Sequence, residues 1–215
     1  MDLMFLILLL PFFIYWCVNE KTGLQLCIAC LLCIWALLVY RDLQQGGRLP
    51  FNFDIRWIII ALIFCGCLFL RGKIEKLLSK GGLRAFMIAA AALSFAMILH
   101  RPGFEYMLPG GILLGFSIGY CLNKRYIGFS SADVLQRKGF AKFLVLSARF
   151  LLGAAVLALI VYRVEKVIEQ ASKSQNIFLY CFLCYALISL WVSAAAPWVF
   201  IKLRLAGSPA IAEKQ

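Results

Sequence analysis

The sequence has few charged residues, and acidic ones are especially scarce. Only 15% of its 215 residues are charged, with 10 Asp and Glu against 22 Lys and Arg, while 64% are hydrophobic and the mean hydropathy is +0.91. A soluble domain carries about 25% charged residues, so the composition excludes that class. The chain is predicted to be an integral membrane protein.

The sequence also lacks a linker long enough to separate two domains. Near its start it lacks the basic segment and the small-residue cleavage site of a signal peptide, so we expect the first apolar run to remain as a span. We expect one transmembrane helical domain over residues 1–206 and a flexible C-terminal tail over residues 207–215.

The nine cysteines all lie inside or at the edge of apolar runs, which does not indicate a secreted disulfide framework. Cys27, Cys30 and Cys33 recur at a spacing that resembles metal ligation. A thiolate without an ion is costly in hydrocarbon, whereas a thiol packs as a small apolar side chain. We therefore interpret them as apolar residues and expect neither a metal nor a cofactor.

Seven apolar runs have the length and composition of candidate membrane spans. A span takes about 20 mostly apolar residues, because a bilayer core is ~30 Å thick and a helix rises ~1.5 Å per residue. The runs are Leu3 to Val18, Leu24 to Tyr40, Phe51 to Leu70, Leu83 to Leu99, Met107 to Leu122, Phe143 to Tyr162 and Ile177 to Ile201. The uncharged part of the third run is short, so we predict an all-α, polytopic membrane helix bundle of six to seven transmembrane spans.

The net charge of +12 is spread between the runs rather than gathered on a soluble module, which excludes a nucleic-acid partner. Lys and Arg are more numerous in the first, third and fifth loops and in the tail than in the other loops. Basic loops are retained in the cytoplasm. This distribution predicts an N-terminus outside, a cytoplasmic C-terminus, and membrane lipids as partners.

Two arginines and one histidine flank the runs on the predicted outer side. Arg41 and Arg48 have the planar donor fork that suits phosphate, although arginines at span ends also serve as interface anchors. His100, the only histidine, could act as a nucleophile or acid/base group oriented by Glu105, or simply bond a backbone carbonyl. Because these residues face one compartment, their loops could assemble one site.

Gly111, Gly115 and Gly119 recur at every fourth position, which gives one helix face a close-packing surface. Such a face could line a cavity, but we interpret it as a packing seam. We expect no charged side chain in the middle of a span, which disfavours a small transporter.

Three phrases resemble bacterial members of the type 2 phosphatidic acid phosphatase family. They are "LLLPFFIYWCVNEKTGLQLCIACLLCIWALLVYRDLQQGGRLPF" near the start, "GGILLGFSIGYCLNKRYIGFS" in and after the fifth run, and "LWVSAAAPWVFIKLRLA" in the last run. The resemblance implies a helical membrane fold, a bacterial inner-membrane location and chemistry on lipid phosphates.

In that family a Lys and an Arg separated by six residues bind phosphate ahead of a Pro. Arg41 and Arg48 stand at these two positions, while Leu49 replaces the proline. No Pro-Ser-Gly-His motif occurs in the chain, and the position of the orienting Asp, four residues after His100, holds Phe104.

The family mechanism uses two histidines, one as nucleophile and one as general acid, and this chain has one. We therefore expect a divergent, inactive or weakly active member that binds a lipid phosphate or pyrophosphate at the outer face through Arg41 and Arg48. Two alternatives stay open. One is an active lipid phosphate phosphatase that uses His100 with Glu105, and the other is a structural or interaction protein, or a transporter component, that binds a membrane-protein partner or a second copy of itself.

Overall fold

A computed structural model describes residues 3–45, 82–100, 103–131, 140–171 and 177–206, and these are almost entirely helical. The helices are α1 (Leu3–Cys17), α2 (Glu20–Gln45), α3 (Leu83–His100), α4 (Phe104–Leu122), α5 (Phe140–Ala171), α6 (Ile177–Leu190) and α7 (Ala196–Lys202). One π-helical turn, Asn123–Ile127, extends α4, and another, Trp191–Ala195, joins α6 to α7. The predicted all-α bundle is confirmed.

Four helical stretches in the described ranges are long and apolar enough to cross a membrane. They are Glu20–Gln44, Leu83–His100, Lys142–Ile168 and Ile177–Lys202. Six of the seven predicted runs coincide with helices. The third run, Phe51 to Leu70, lies outside the described residues, as do Arg48 and the tail 207–215.

Helix α2 begins at Glu20, before the predicted start at Leu24, because a polar cap rather than the apolar run sets its first turn. The Asn19 side-chain oxygen accepts hydrogen bonds from the backbone N–H groups of Lys21 (2.9 Å) and Thr22 (3.3 Å). These are two of the donors that a helix N-terminus leaves unsatisfied. Glu20 adds a negative charge to the same turn, where the helix dipole stabilises it.

The contacts between helix ends define two ends of the bundle. One end, which we call the His100 end, holds the last turns of α2 and α3 and the first turns of α4 and α6. The opposite end, the Asn123 end, holds the last turn of α1, the first turn of α2 and the turns that follow α4 and α7. Helix α4 is central, because α2, α3 and α6 all pack on it.

Helices α4 and α6 run parallel and meet along the three glycines. A Cβ added to Gly111, Gly115 or Gly119 would come within 3.0 Å of the backbone of α6 or of the Ser193 side chain. The absence of side chains therefore lets the two helices approach closely. This face is filled by the chain's own helix, so it offers no open surface to a separate partner.

Helix α5 is peripheral and carries a buried charge. It exposes Phe143, Leu151 and Leu159, as a lipid-facing helix does, yet the Arg149 side chain is fully buried. The expectation that no charged side chain lies inside a span is wrong. Arg149 is tolerated because backbone carbonyls solvate its guanidinium.

Candidate functional site

The last turn of α2 and the first turn of α4 are joined at the His100 end by polar contacts. Arg41 Nη2 forms an ion pair with Glu105 Oε2 and also lies 3.4 Å from Asp42 Oδ1. The Tyr106 hydroxyl donates a 2.7 Å hydrogen bond to Asp42 Oδ2. Two consecutive residues of α2 therefore hold two consecutive residues of α4.

His100 lies beside these contacts at the end of α3. Its exposed ring meets the Trp35 ring edge-on and packs against the Tyr106 ring, each at 6.1 Å between centroids. Within the described residues its side chain makes no hydrogen bond. We call the set formed by Trp35, Arg41, Asp42, His100, Glu105 and Tyr106 the His100 cluster.

The Arg41–Glu105 pair is open to solvent or headgroups, because 44% of the Arg41 side chain and 49% of the Glu105 side chain are exposed. An exposed pair of this kind contributes only about 0 to 1 kcal/mol. The Asp42 side chain is 12% exposed and is held by Tyr106. The Arg41 pair can therefore open for a ligand at small cost, while Asp42 stays in place.

The structure brings three of the predicted site residues together around the first turn of α4. Arg41 pairs with Glu105, and His100 packs on the neighbouring Tyr106. The Glu105 carboxylate engages the guanidinium and forms no hydrogen bond with the imidazole in the described chain. Arg48 lies outside the described residues. This arrangement presents a cation for binding, without a carboxylate from Glu105 to orient His100 as a nucleophile.

A second polar cluster, which the sequence analysis missed, lies at the Asn123 end. Arg149 Nε and Nη2 donate to the Leu205 carbonyl at 3.0 and 2.7 Å, and Nη1 donates to the Trp16 carbonyl at 3.1 Å. The guanidinium also lies 5.3 Å from the centre of the Phe129 ring. Arg149 thus satisfies one carbonyl in the last turn of α1 and one shortly after α7, where the helix dipoles favour a positive charge.

Tyr15 and Trp16 tie α1 to the π-helical turn after α6. The Tyr15 hydroxyl donates to the Ser193 carbonyl at 3.0 Å, and Trp16 Nε1 donates to the Val192 carbonyl at 2.8 Å. Pro197 has no N–H, so it cannot serve the carbonyls four and five residues before it, which are those of Ser193 and Val192. The proline therefore removes one backbone donor from this turn, and α1 supplies side-chain donors to both carbonyls.

Asn123 completes this second cluster. Its side-chain amide donates to the Tyr15 hydroxyl at 2.9 Å, and its side-chain oxygen accepts from the Phe129 N–H at 3.0 Å. The chain turns at Gly128, which adopts φ 68° and whose N–H bonds the Asn123 carbonyl at 2.7 Å. We call Tyr15, Trp16, Asn123 and Arg149, with the carbonyls that they bind, the Arg149 network.

Two features of the sequence could have indicated the Arg149 network. Arg149 is the charged residue inside the predicted run Phe143 to Tyr162, and Pro197 interrupts the last run. An arginine at membrane depth needs oxygen acceptors, and a proline in a helix releases carbonyls. Which acceptor meets which donor depends on helix packing, which neither residue reveals.

Replacing Tyr15 with phenylalanine is expected to lower the free energy of unfolding by about 1 to 3 kcal/mol. The change removes the donor to the Ser193 carbonyl and the acceptor for Asn123, and it leaves buried polar groups unsatisfied. Denaturant unfolding in detergent micelles measures the loss. Tyr126→Phe is the matched control, because Tyr126 is 71% exposed. Equal losses in both variants would contradict this role for the Tyr15 hydroxyl.

Comparison with known proteins adds one match. Residues 107–208 match the family model described as PAP2 superfamily phosphatase, transmembrane extension, where PAP2 denotes type 2 phosphatidic acid phosphatase. No curated protein and no solved structure matches the chain. The matched range holds the three glycines, Asn123 and Arg149, and it begins after Arg41, His100 and Glu105. The resemblance to the phosphatase family seen in the sequence is confirmed over this range, and the chain is a membrane protein whose residues 107–208 match the transmembrane extension of PAP2 superfamily phosphatases.

Proposed function

We propose that this chain is a non-catalytic member of its family that binds the phosphate of a lipid headgroup at the His100 end. The observation that carries the proposal is the partly exposed Arg41, which projects from the last turn of α2 against the first turn of α4. The distribution of Lys and Arg between the spans supports an outer-face location for this end.

Two features favour an anionic group beside Arg41. Its guanidinium can form paired hydrogen bonds to two oxygens of a phosphate once the Glu105 pair opens. The first turn of α4 also points its backbone N–H groups and the positive end of its dipole toward this end of the bundle. Glu105, in that turn, already occupies a position where negative charge is stabilised.

Two observations support a non-catalytic role. His100 is the only histidine, so no second imidazole can protonate the leaving alcohol. Glu105 is paired with Arg41, and the contacts of His100 in the described chain are aromatic. Loss of one member of such a catalytic unit commonly lowers the rate by several orders of magnitude.

Binding is tested with the purified chain in detergent micelles, with phosphatidylglycerol as the lipid probe and native mass spectrometry as the measurement. We expect Arg41→Gln to weaken binding about five- to tenfold, because the charged hydrogen bonds to phosphate are lost. Arg163→Gln, at an exposed arginine of α5, is the control and should bind as the wild type does. Equal binding by the Arg41→Gln and wild-type proteins would overturn the proposal.

Turnover is tested by phosphate release from phosphatidic acid in the same micelles. We expect release no faster than in a protein-free blank, for the wild type and for His100→Ala alike. Release that the wild type shows and His100→Ala loses would instead establish the active phosphatase that uses His100 as its nucleophile.

A further inference from the structure

A narrow apolar groove lies between α1 and α5 on the surface of the bundle. Its volume is about 380 Å³, within the ~300 to 1,000 Å³ typical of cavities that bind small organic molecules. We call it the α5 groove, and its lining residues are Leu9, Ala154, Leu157, Ala158, Val161, Tyr162 and Glu165. None of them belongs to the His100 cluster, so the groove is a different feature from the surroundings of Arg41.

The α5 groove has the depth of one bilayer leaflet. Along α5 it extends from Ala154 to Glu165, which is about 16 Å at ~1.5 Å per residue. It begins near the middle of the predicted run Phe143 to Tyr162 and ends just beyond it. Ile168 packs against Met107 in the first turn of α4, which places this end of α5 at the His100 end. Half of a ~30 Å hydrocarbon core is about 15 Å, so an acyl chain from the leaflet at the His100 end matches the groove in length.

The α5 groove is too narrow for a helix. Its volume, spread over that length, gives a mean cross-section of roughly 23 Å². A helix with its side chains is at least ~10 Å wide, or about 80 Å² in cross-section. A single alkyl chain, whose carbon atoms contact their neighbours at about 4 Å, occupies about 20 Å². The width therefore favours an acyl chain over a helix from a partner or from a second copy of the chain.

The lining of the groove suits hydrocarbon and lies open to the bilayer. The buried Leu157 and the partly buried Val161 provide apolar walls, and the small side chain of Ala158 leaves space between them. The neighbouring Leu159 is 61% exposed, as expected where α5 faces lipid. An acyl chain can therefore enter from the side without separating two helices.

Lys166 marks the headgroup end of the groove. Its ammonium lies 4.7 Å from the centre of the Tyr162 ring, and that ring lines the groove. Tyrosine and lysine side chains at the end of a span lie at headgroup depth. The Lys166 ammonium can therefore pair with a phosphate, the group that every phospholipid carries. Glu165 lies at the same end, so we expect the phosphate on the Lys166 side of it.

We propose that the α5 groove holds one acyl chain of a phospholipid from the leaflet at the His100 end, with the phosphate of that lipid beside Lys166. The lipid is held mainly through its chain, which fills the space between α1 and α5. It is additional to the lipid proposed at Arg41.

The first test needs no variant. The purified full chain is reconstituted in nanodiscs of phosphatidylcholine that contain a fraction of phosphatidylcholine with a photoactivatable acyl chain, and crosslinked residues are identified by mass spectrometry. We expect crosslinks between Ala154 and Tyr162 to be at least three times as frequent as at Ile88 and Phe95, which are exposed on α3. Equal frequencies on the two helices would mean that α5 meets only bulk lipid, and the proposal would be overturned.

The second test fills the groove. Ala158→Leu places a larger apolar side chain in it and should lower crosslinking at Val161 at least threefold. Ala155→Leu makes the same change at an exposed neighbour that does not line the groove, and it should crosslink as the wild type does. Unchanged crosslinking in both variants would contradict the proposal, and an Ala158→Leu protein that does not fold would leave the wild-type comparison intact.

Native mass spectrometry of the same proteins tests the alternative occupant. A wild-type dimer that Ala158→Leu dissociates, without any change in crosslinking, would overturn the lipid and assign the groove to a second copy of the chain. Arg41→Gln should keep the wild-type crosslinks on α5, because Arg41 does not line the groove. This inference and the proposed function can therefore fail separately.

Discussion

Replacing Arg149 with methionine is expected to lower the free energy of unfolding by roughly 3 to 5 kcal/mol, a large share of the ~5 to 15 kcal/mol typical of a folded domain. The substitution keeps a long side chain but removes three hydrogen bonds to the carbonyls of Trp16 and Leu205. Those carbonyls lie around a fully buried side chain, so water does not readily replace the lost donors. Denaturant unfolding in micelles, followed by tryptophan fluorescence, measures the loss.

Two further variants separate the roles of Arg149. Arg163→Met removes an exposed arginine from the same helix and should change stability by less than about 0.5 kcal/mol. Arg149→Lys keeps the charge but loses the planar fork that reaches Trp16 and Leu205 together, so its stability should fall between the wild type and Arg149→Met. A Met variant as stable as the wild type would show that the buried guanidinium does not join these segments.

Replacing Gly115 with leucine is expected to separate α4 from α6, at a cost of at least about 3 kcal/mol. A Cβ at this position would overlap the Ala186 carbonyl, a backbone atom that cannot rotate away. Even Gly115→Ala should therefore be clearly destabilising. The readouts are the melting temperature in micelles and the protease sensitivity of the segment around Ala186.

The matched control is Gly103→Ala, at the start of the same helix. Gly103 has an extended backbone with φ −137°, and a Cβ there would lie 3.6 Å from the Tyr106 ring, an ordinary contact. This variant should be close to the wild type. If the Gly115→Ala protein had the same melting temperature as the Gly103→Ala protein, the close approach of α4 and α6 would be contradicted.

Gly119 offers an internal check, because the atom that blocks a Cβ there is the Ser193 hydroxyl rather than backbone. Gly119→Ala should destabilise, and adding Ser193→Ala should recover part of the loss by removing that oxygen. At Gly115 the corresponding change, Ser189→Ala, should recover little, because the Ala186 carbonyl remains in the way. The two double variants therefore separate side-chain from backbone obstruction.

Much of the fold could be predicted because few backbone structures are stable inside a lipid bilayer. A long apolar run must satisfy its backbone internally, so the runs at Leu83 and Ile177 could hardly be anything but helices. If the seven predicted runs alternate in direction, the loops after the second and the fourth run lie on one side, which is why Arg41 and His100 could be predicted to share one site. Helix ends were harder to predict, since Asn19 caps α2 outside the apolar run.

The partners of the polar groups could not be predicted, since several pairings fit the same topology. Glu105 was one candidate to orient His100, but Arg41 is also within its reach, and the packing of α2 on α4 brings the guanidinium to the carboxylate. The role of Arg149 was not predicted, because its acceptors are backbone carbonyls. Every residue has such a carbonyl, so the sequence does not indicate which ones Arg149 binds. Pairing with backbone depends on the three-dimensional arrangement alone.

The hydrogen bonds from Tyr15 and Trp16 to the turn after α6 span 178 and 176 residues of chain. A ribosome that adds about 5 to 20 residues per second needs on the order of 10 to 35 seconds to make that length. During this time the first helix is in the membrane with a phenol and an indole N–H that lack their final acceptors. Insertion must therefore shelter these donors by some temporary contact, and a delay in synthesis before Val192 would prolong the period in which the nascent chain is open to misassembly or proteolysis.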